Sequence, residues 1–150
     1  MTRIVHPIAG TLALLTILTF WLSTVFVELF GSTEMTVFVK EAIPWGFLVL
    51  IPALAVAGGS GRALNTFGLA HAKVKRMRII APNGVLVLVP SAFFLAWKAG
   101  GGQLDAVFYA VQAIELLAGA LNIALLSLNM RDGLRLTGRM GGRNLKRRAA

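Results

Sequence analysis

The run Phe108-Tyr-Ala-Val-Gln-Ala-Ile-Glu-Leu-Leu-Ala-Gly-Ala-Leu-Asn-Ile-Ala-Leu-Leu126 decides how this chain is read. It is apolar along nearly its whole length, yet one carboxylate, Glu115, stands near its middle. Tyr109, Gln112, Glu115, Gly119, Asn122 and Asn129 recur at steps of three, three, four, three and seven, which places them on one face of a helix. In hydrocarbon an acidic side chain at mid-helix is costly, so this face must turn toward protein, water or a ligand.

The rest of the sequence places that helix in a membrane. Of the 150 residues, 57% are hydrophobic and only 14% are charged, against about 25% charged in soluble domains. Four stretches reach the roughly 20 apolar residues that span a bilayer. They predict helices over about 8–30, 42–64, 77–97 and 106–128. The third carries Pro82 and Pro90, and the second carries Pro44 and Pro52. Residues 1–130 then form one membrane domain and 131–150 a basic tail, leaving no extramembrane domain. The first stretch exceeds the roughly 7–15 residues of a signal-peptide core. Phe26, Glu28 and Phe30 occupy the region where a small-residue cleavage motif would lie, so the stretch is expected to be retained.

Charge sets the expected orientation. The net charge is +9, and the basic residues cluster. Arg62, Lys73, Lys75, Arg76 and Arg78 lie between the second and third stretches; Arg131, Arg135, Arg139, Arg143, Lys146, Arg147 and Arg148 follow the fourth. The other side has Lys40 and Lys98 among Glu28, Glu34, Glu41 and Asp105. The positive-inside rule puts both termini in the cytoplasm. Short connections predict an all-α, antiparallel, up-down-up-down bundle. Basic residues at helix ends are expected to meet anionic lipid headgroups rather than nucleic acid, for which no recognition motif is present.

Several chemistries find no support in the residues. The absence of cysteine excludes disulfides, thiolate zinc and iron–sulfur sites. Gly58-Gly-Ser-Gly61 lacks the lysine and the preceding strand of a phosphate loop. Small residues there suit close helix packing instead. No serine motif accompanies the histidines, so a hydrolytic triad is not indicated.

The polar stripe has expected partners. On a rise of about 1.5 Å per residue, Ser91 matches Glu115 in depth and Asn83 matches Asn122. Thr16, Thr19 and Ser23 share a face of the first helix. No Lys or Arg is expected to reach Glu115, and burial without a counter-ion disfavours the charged form, so a neutral, hydrogen-bonded acid is predicted. Such a network serves either as interhelical glue or as a relay for a proton or cation, a site for a polar headgroup or quinone, or a docking point for a partner's basic residue. His6 precedes Pro7 at the start of the first helix and His71 lies in the basic loop before the third, and diagonal histidines in a bundle hold a b-type haem in other proteins. Here their depths differ by several residues.

The runs His6-Pro-Ile-Ala-Gly-Thr-Leu-Ala-Leu-Leu-Thr-Ile-Leu-Thr-Phe-Trp21, Lys75-Arg-Met-Arg-Ile-Ile-Ala-Pro-Asn-Gly84 and Leu128-Asn-Met-Arg-Asp-Gly-Leu-Arg-Leu136 resemble small, uncharacterised four-helix membrane proteins of alphaproteobacteria. That resemblance implies a fold and no activity. His6 and His71-Ala72-Lys73 also resemble the CopD-like group, which includes a haem-associated four-helix protoporphyrinogen oxidase. The resemblance implies haem between His6 and His71. Val27-Glu28-Leu29 stands where that group has a further histidine. The function expected from all of this is a non-catalytic accessory or assembly subunit, associating with another membrane protein or with itself. The alternatives are a haem redox protein and a proton- or cation-coupled carrier.

Overall fold

The computed structural model describes residues 2–63 and 71–136, with side chains over 4–61 and 75–134. These residues form α1 (Thr2–Phe30), α2 (Thr33–Ala63), α3 (His71–Asn83), a π-helical turn (Gly84–Leu88), α4 (Val89–Gly100) and α5 (Ala106–Leu136). α3, the π turn and α4 follow one another without a break, so the chain makes four long rods. All four are long and apolar enough to cross a membrane, over Ile4–Phe30, Thr33–Gly61, Lys75–Gly100 and Ala106–Leu134.

Every rod outruns its predicted bounds. Hydropathy registers only the segment that is apolar, whereas backbone hydrogen bonding carries a helix on into its polar flanks. α2 therefore begins at Thr33, nine residues before the predicted start at Ala42, and takes in Lys40 and Glu41. α5 runs past residue 130, so the expected domain boundary falls inside a helix; residues 137–150 of the tail lie outside the described residues.

Local chemistry explains the ends. The Ser32 hydroxyl accepts from the Met35 N–H at 3.3 Å, capping α2. α4 closes on Gly102, whose φ of +68° suits a residue without Cβ. Asp105 caps α5 by accepting from the Phe108 N–H at 3.0 Å. The π turn lies between Pro82 and Pro90, and the Val89 N–H reaches back to the Gly84 carbonyl. Proline removes a donor and crowds the preceding turn. One wider turn absorbs that misfit and lets the rod continue.

Among the described residues, backbone contacts join α1 to α2, α2 to α4, α4 and α3 to α5, and α5 to α1. α2 and α5 do not touch by backbone, nor do α1 and α4; these are the diagonals of a four-helix bundle. Ala13, Ile17, Ile43, Phe47, Leu50, Ala53, Ile80, Ala92 and Leu126 fill its middle. A smaller cluster of Leu95, Ala99 and Phe108, flanked by Val37, sits by the Gly31–Ser32 and Gly101–Asp105 turns. At Gly46 there is no room for a β-carbon, because the Phe20 ring occupies that space and packs edge-on against Phe47 at 5.9 Å. The outer face is apolar: Trp45, Leu48, Trp97 and Leu117 are each more than two-thirds exposed. In water that surface would be an aggregation hazard, whereas it suits contact with acyl chains.

Candidate functional site

The inner seam of α5 reads Phe108, Gln112, Glu115, Gly119, Asn122, Leu126 and Asn129, with all but Glu115 classed as buried and Glu115 only 12% exposed. Alternating steps of four and three are those of a helix packed at a shallow angle on its neighbours. Tyr109 is not in this seam. It is about half exposed, and Phe108 takes the buried position beside it. The expected stripe started one residue too late, because a step of three fits both registers. Glycine at 119 admits the Trp21 indole, whose Cδ1 would lie 3.1 Å from a β-carbon there. That close approach lets Trp21 Nε1 donate to the Leu116 carbonyl at 2.9 Å.

Glu115 has a basic partner, contrary to the expectation of a neutral acid. Lys40 Nζ donates to Glu115 Oε2 at 2.6 Å, and Lys40 is only 1% exposed. The early start of α2 explains the difference. Lys40 lies seven residues past Thr33 and Glu115 nine past Ala106, about 10 and 14 Å along their helices. The lysine stem then crosses the diagonal of the bundle from α2 to α5. On the way its ammonium meets the Thr24 hydroxyl, which accepts at 3.5 Å. Removing two charges from water costs several kcal/mol per ion, roughly offset by their mutual attraction when the geometry is short and direct.

Thr24 belongs to this layer, whereas the expected row on α1 does not. Thr16, Thr19 and Ser23 donate to their own helix, at the Leu12, Leu15 and Phe20 carbonyls. Thr19 is exposed. Thr24 is 2% exposed and continues the buried line of Ala9, Ala13 and Ile17. That line of small and apolar residues was the signal for the inner face of α1. Ser91 is buried on α4, but among the described residues no hydrogen bond joins it to Glu115.

Toward the other end of α5 the amides meet as their depths require. Asn83 Nδ2 donates to Asn122 Oδ1 and to the Ala118 carbonyl, both at 2.9 Å. Further along, Arg76 donates to Asn129 Oδ1 at 3.1 Å and to Asp132 Oδ2 at 2.6 Å. Arg76 thus ties α3 to α5, a role that charge counting does not anticipate. Lys75, Arg78 and Arg131 are exposed. The side chains of Arg62, Lys73 and Arg135 lie outside the described residues.

His6 turns toward the end of α2. Its Nδ1 lies 3.0 Å from the Ala57 carbonyl and 3.1 Å from Ser60 Oγ. Its ring rests against Gly61, the close packing expected of that small-residue run. The side chain of His71 lies outside the described residues, and α1 makes no backbone contact with α3 among them. The described residues therefore supply one histidine, engaged with α2, and do not build an axial pair.

At the turn end, Lys98 Nζ donates to Asp105 Oδ2 at 2.7 Å. That hydrogen bond, reinforced by the Phe108 N–H, holds the Asp105 carboxyl below its ordinary value of 3.8. Among the described residues two oxygens remain unanswered: Gln112 Oε1 and Glu28 Oε1 are buried and without a hydrogen-bond partner. No family model, no curated protein and no solved structure matches this chain.

Proposed function

We propose that the chain is a multi-pass protein of a bacterial inner membrane, an up-down-up-down bundle with both termini cytoplasmic, serving as a non-catalytic accessory or assembly subunit of a larger membrane complex. One observation carries this reading. The ionic and amide groups of the seam are answered mainly by one another, as Lys40–Glu115, Asn83–Asn122 and Arg76 with Asn129 and Asp132. Between the two ends, large apolar side chains line the outward surface. A bundle whose polar groups close on themselves acts as a rigid body. What it offers its surroundings is helix surface for lipid and for other membrane helices. Contacts in reversed order along α1 and α2 support the antiparallel arrangement: His6 meets Ala57 and Ser60, while Thr24 meets Lys40. Exposed Lys75, Arg78 and Arg131 cluster at one end, as anionic headgroups on the cytoplasmic side require.

The test is affinity purification of the tagged protein from native membranes in a mild detergent, followed by stoichiometry of what accompanies it. A second membrane protein, or a second copy, is expected at fixed ratio. A chain that always migrates alone as a monomer, at native expression and in more than one detergent, refutes the subunit reading.

A further inference from the structure

Counted along their helices, the residues bearing the two unanswered oxygens fall at one depth of the bundle. Thr24, Lys40 and Glu115 meet at the ion pair. Glu28 is one turn from Thr24, Thr36 one turn from Lys40, and Gln112 three residues from Glu115. α1 ends at Phe30, while α2 and α5 begin at Thr33 and Ala106. Each of these steps therefore leads toward the turn end of the bundle, by about 5 Å. This second layer holds a carboxyl, a primary amide and a hydroxyl. Gln112 is 4% exposed and Thr36 6% exposed.

The chemistry of the layer is unbalanced. Among the described residues, Glu28 makes no ion pair, and its Oε1 and Gln112 Oε1 lack any donor. Lys40 is already committed to Glu115 and Thr24. The other charged groups nearby do not correct this. Glu34 and Glu41 of α2 are acidic and exposed, and Lys98 of α4 is held by Asp105. Glu28, Glu115 and Lys40 thus set two acidic side chains against one basic one. A buried oxygen without a donor loses its hydration with nothing in return.

We infer that Glu28, Thr36 and Gln112 form a binding site for one small monovalent cation, either a proton shared at Glu28 or a dehydrated alkali ion such as Na+, lying above the Lys40–Glu115 pair and reached from the turn end of the bundle. Carboxylate, amide and hydroxyl oxygens are hard donors suited to such an ion. Lys40 and Glu115 answer each other, so the single carboxyl of the layer, Glu28, suits one positive charge. Its position and its ligands are independent of whether the protein is a subunit of a complex.

Thermal unfolding of the full-length protein in detergent, followed by tryptophan fluorescence, tests this. NaCl is compared with N-methylglucamine chloride at constant ionic strength, in wild type, Glu28→Gln and Gln112→Leu. For an alkali ion, Na+ at about a hundred times its Kd raises the wild-type Tm by about 5 °C or more, in a saturable way, and neither variant responds. For a proton, Na+ has no effect, and wild type shows a protonated-carboxyl infrared band that Glu28→Gln lacks. Wild type and Glu28→Gln responding identically to Na+ and to acid, with identical carboxyl bands, overturns the site. If the variants do not fold, wild type carrying isotope-labelled glutamate is titrated with Na+ and with acid. Wild-type carboxyl bands that Na+ leaves fixed, together with no protonated-carboxyl band at neutral pH, also overturn it.

Discussion

Replacing Lys40 by Met tests the central contact of the bundle. The substitution keeps an unbranched stem of similar length but removes the ammonium, leaving Glu115 with its 2.6 Å partner gone and only 12% of its side chain exposed. Breaking a buried pair from one side costs about 3–5 kcal/mol, because the remaining charge is desolvated and unanswered. For a chain of this size, about 2–4 °C per kcal/mol converts that cost to a fall of roughly 6–20 °C in Tm. Glu115→Leu strands the ammonium and is expected to cost a similar amount. The double variant Lys40→Met/Glu115→Leu removes both charges and should cost less than either single variant, a coupling of at least about 3–5 kcal/mol. The assay is thermal unfolding of all four proteins in one detergent, with circular dichroism confirming helix content beforehand. Single variants each costing under about 1 kcal/mol and adding without coupling would place the two groups in water. The reasoning about a diagonal, desolvated ion pair would then be wrong.

Gly46→Ala drives a β-carbon into the Phe20 ring, and should destabilise by about 1–3 kcal/mol. Phe20→Leu in the same chain is expected to return part of that loss, and a purely additive pair would count against the contact. Asp105 has its carboxyl lowered by Lys98, so its contribution to stability is complete above its ordinary value of 3.8 and disappears as pH falls through the folded value. Acid unfolding curves should therefore flatten at their low-pH end in Asp105→Asn, and curves parallel to wild type would contradict this. Because the chain has no cysteine, any introduced thiol is unique. Ser32→Cys and Gln103→Cys should react with an impermeant maleimide from outside intact spheroplasts, and Ala149→Cys only after lysis. The reverse pattern would invert the proposed topology.

Much of the architecture was legible from composition. Four apolar runs separated by Gly-rich turns and basic clusters suffice to announce four helices, because a backbone in lipid must satisfy its hydrogen bonds within each segment. The inner face of α5 was also readable, since Gln112, Glu115, Asn122 and Asn129 cannot all face lipid. So was the meeting of Asn83 with Asn122, which needs only a common depth. Helix ends were less legible. Hydropathy misses Thr33 to Glu41 as helix, and this hid Lys40 as a partner for Glu115.

What the sequence by itself determined is periodic and local: which segments are helical and which face of α5 is polar. What only the tertiary structure decided is which side chain answers which. Lys40 and Glu115 are separated by 75 positions in the chain and sit on helices whose backbones do not touch. Their contact depends on the rotation of α2, on the length of a lysine stem and on Thr24 rather than Ser23 turning inward. The same packing left Gln112 Oε1 and Glu28 Oε1 without donors. Periodicity assigns a residue to a face, whereas a hydrogen bond requires two faces brought together at one depth, and that is set by helix packing.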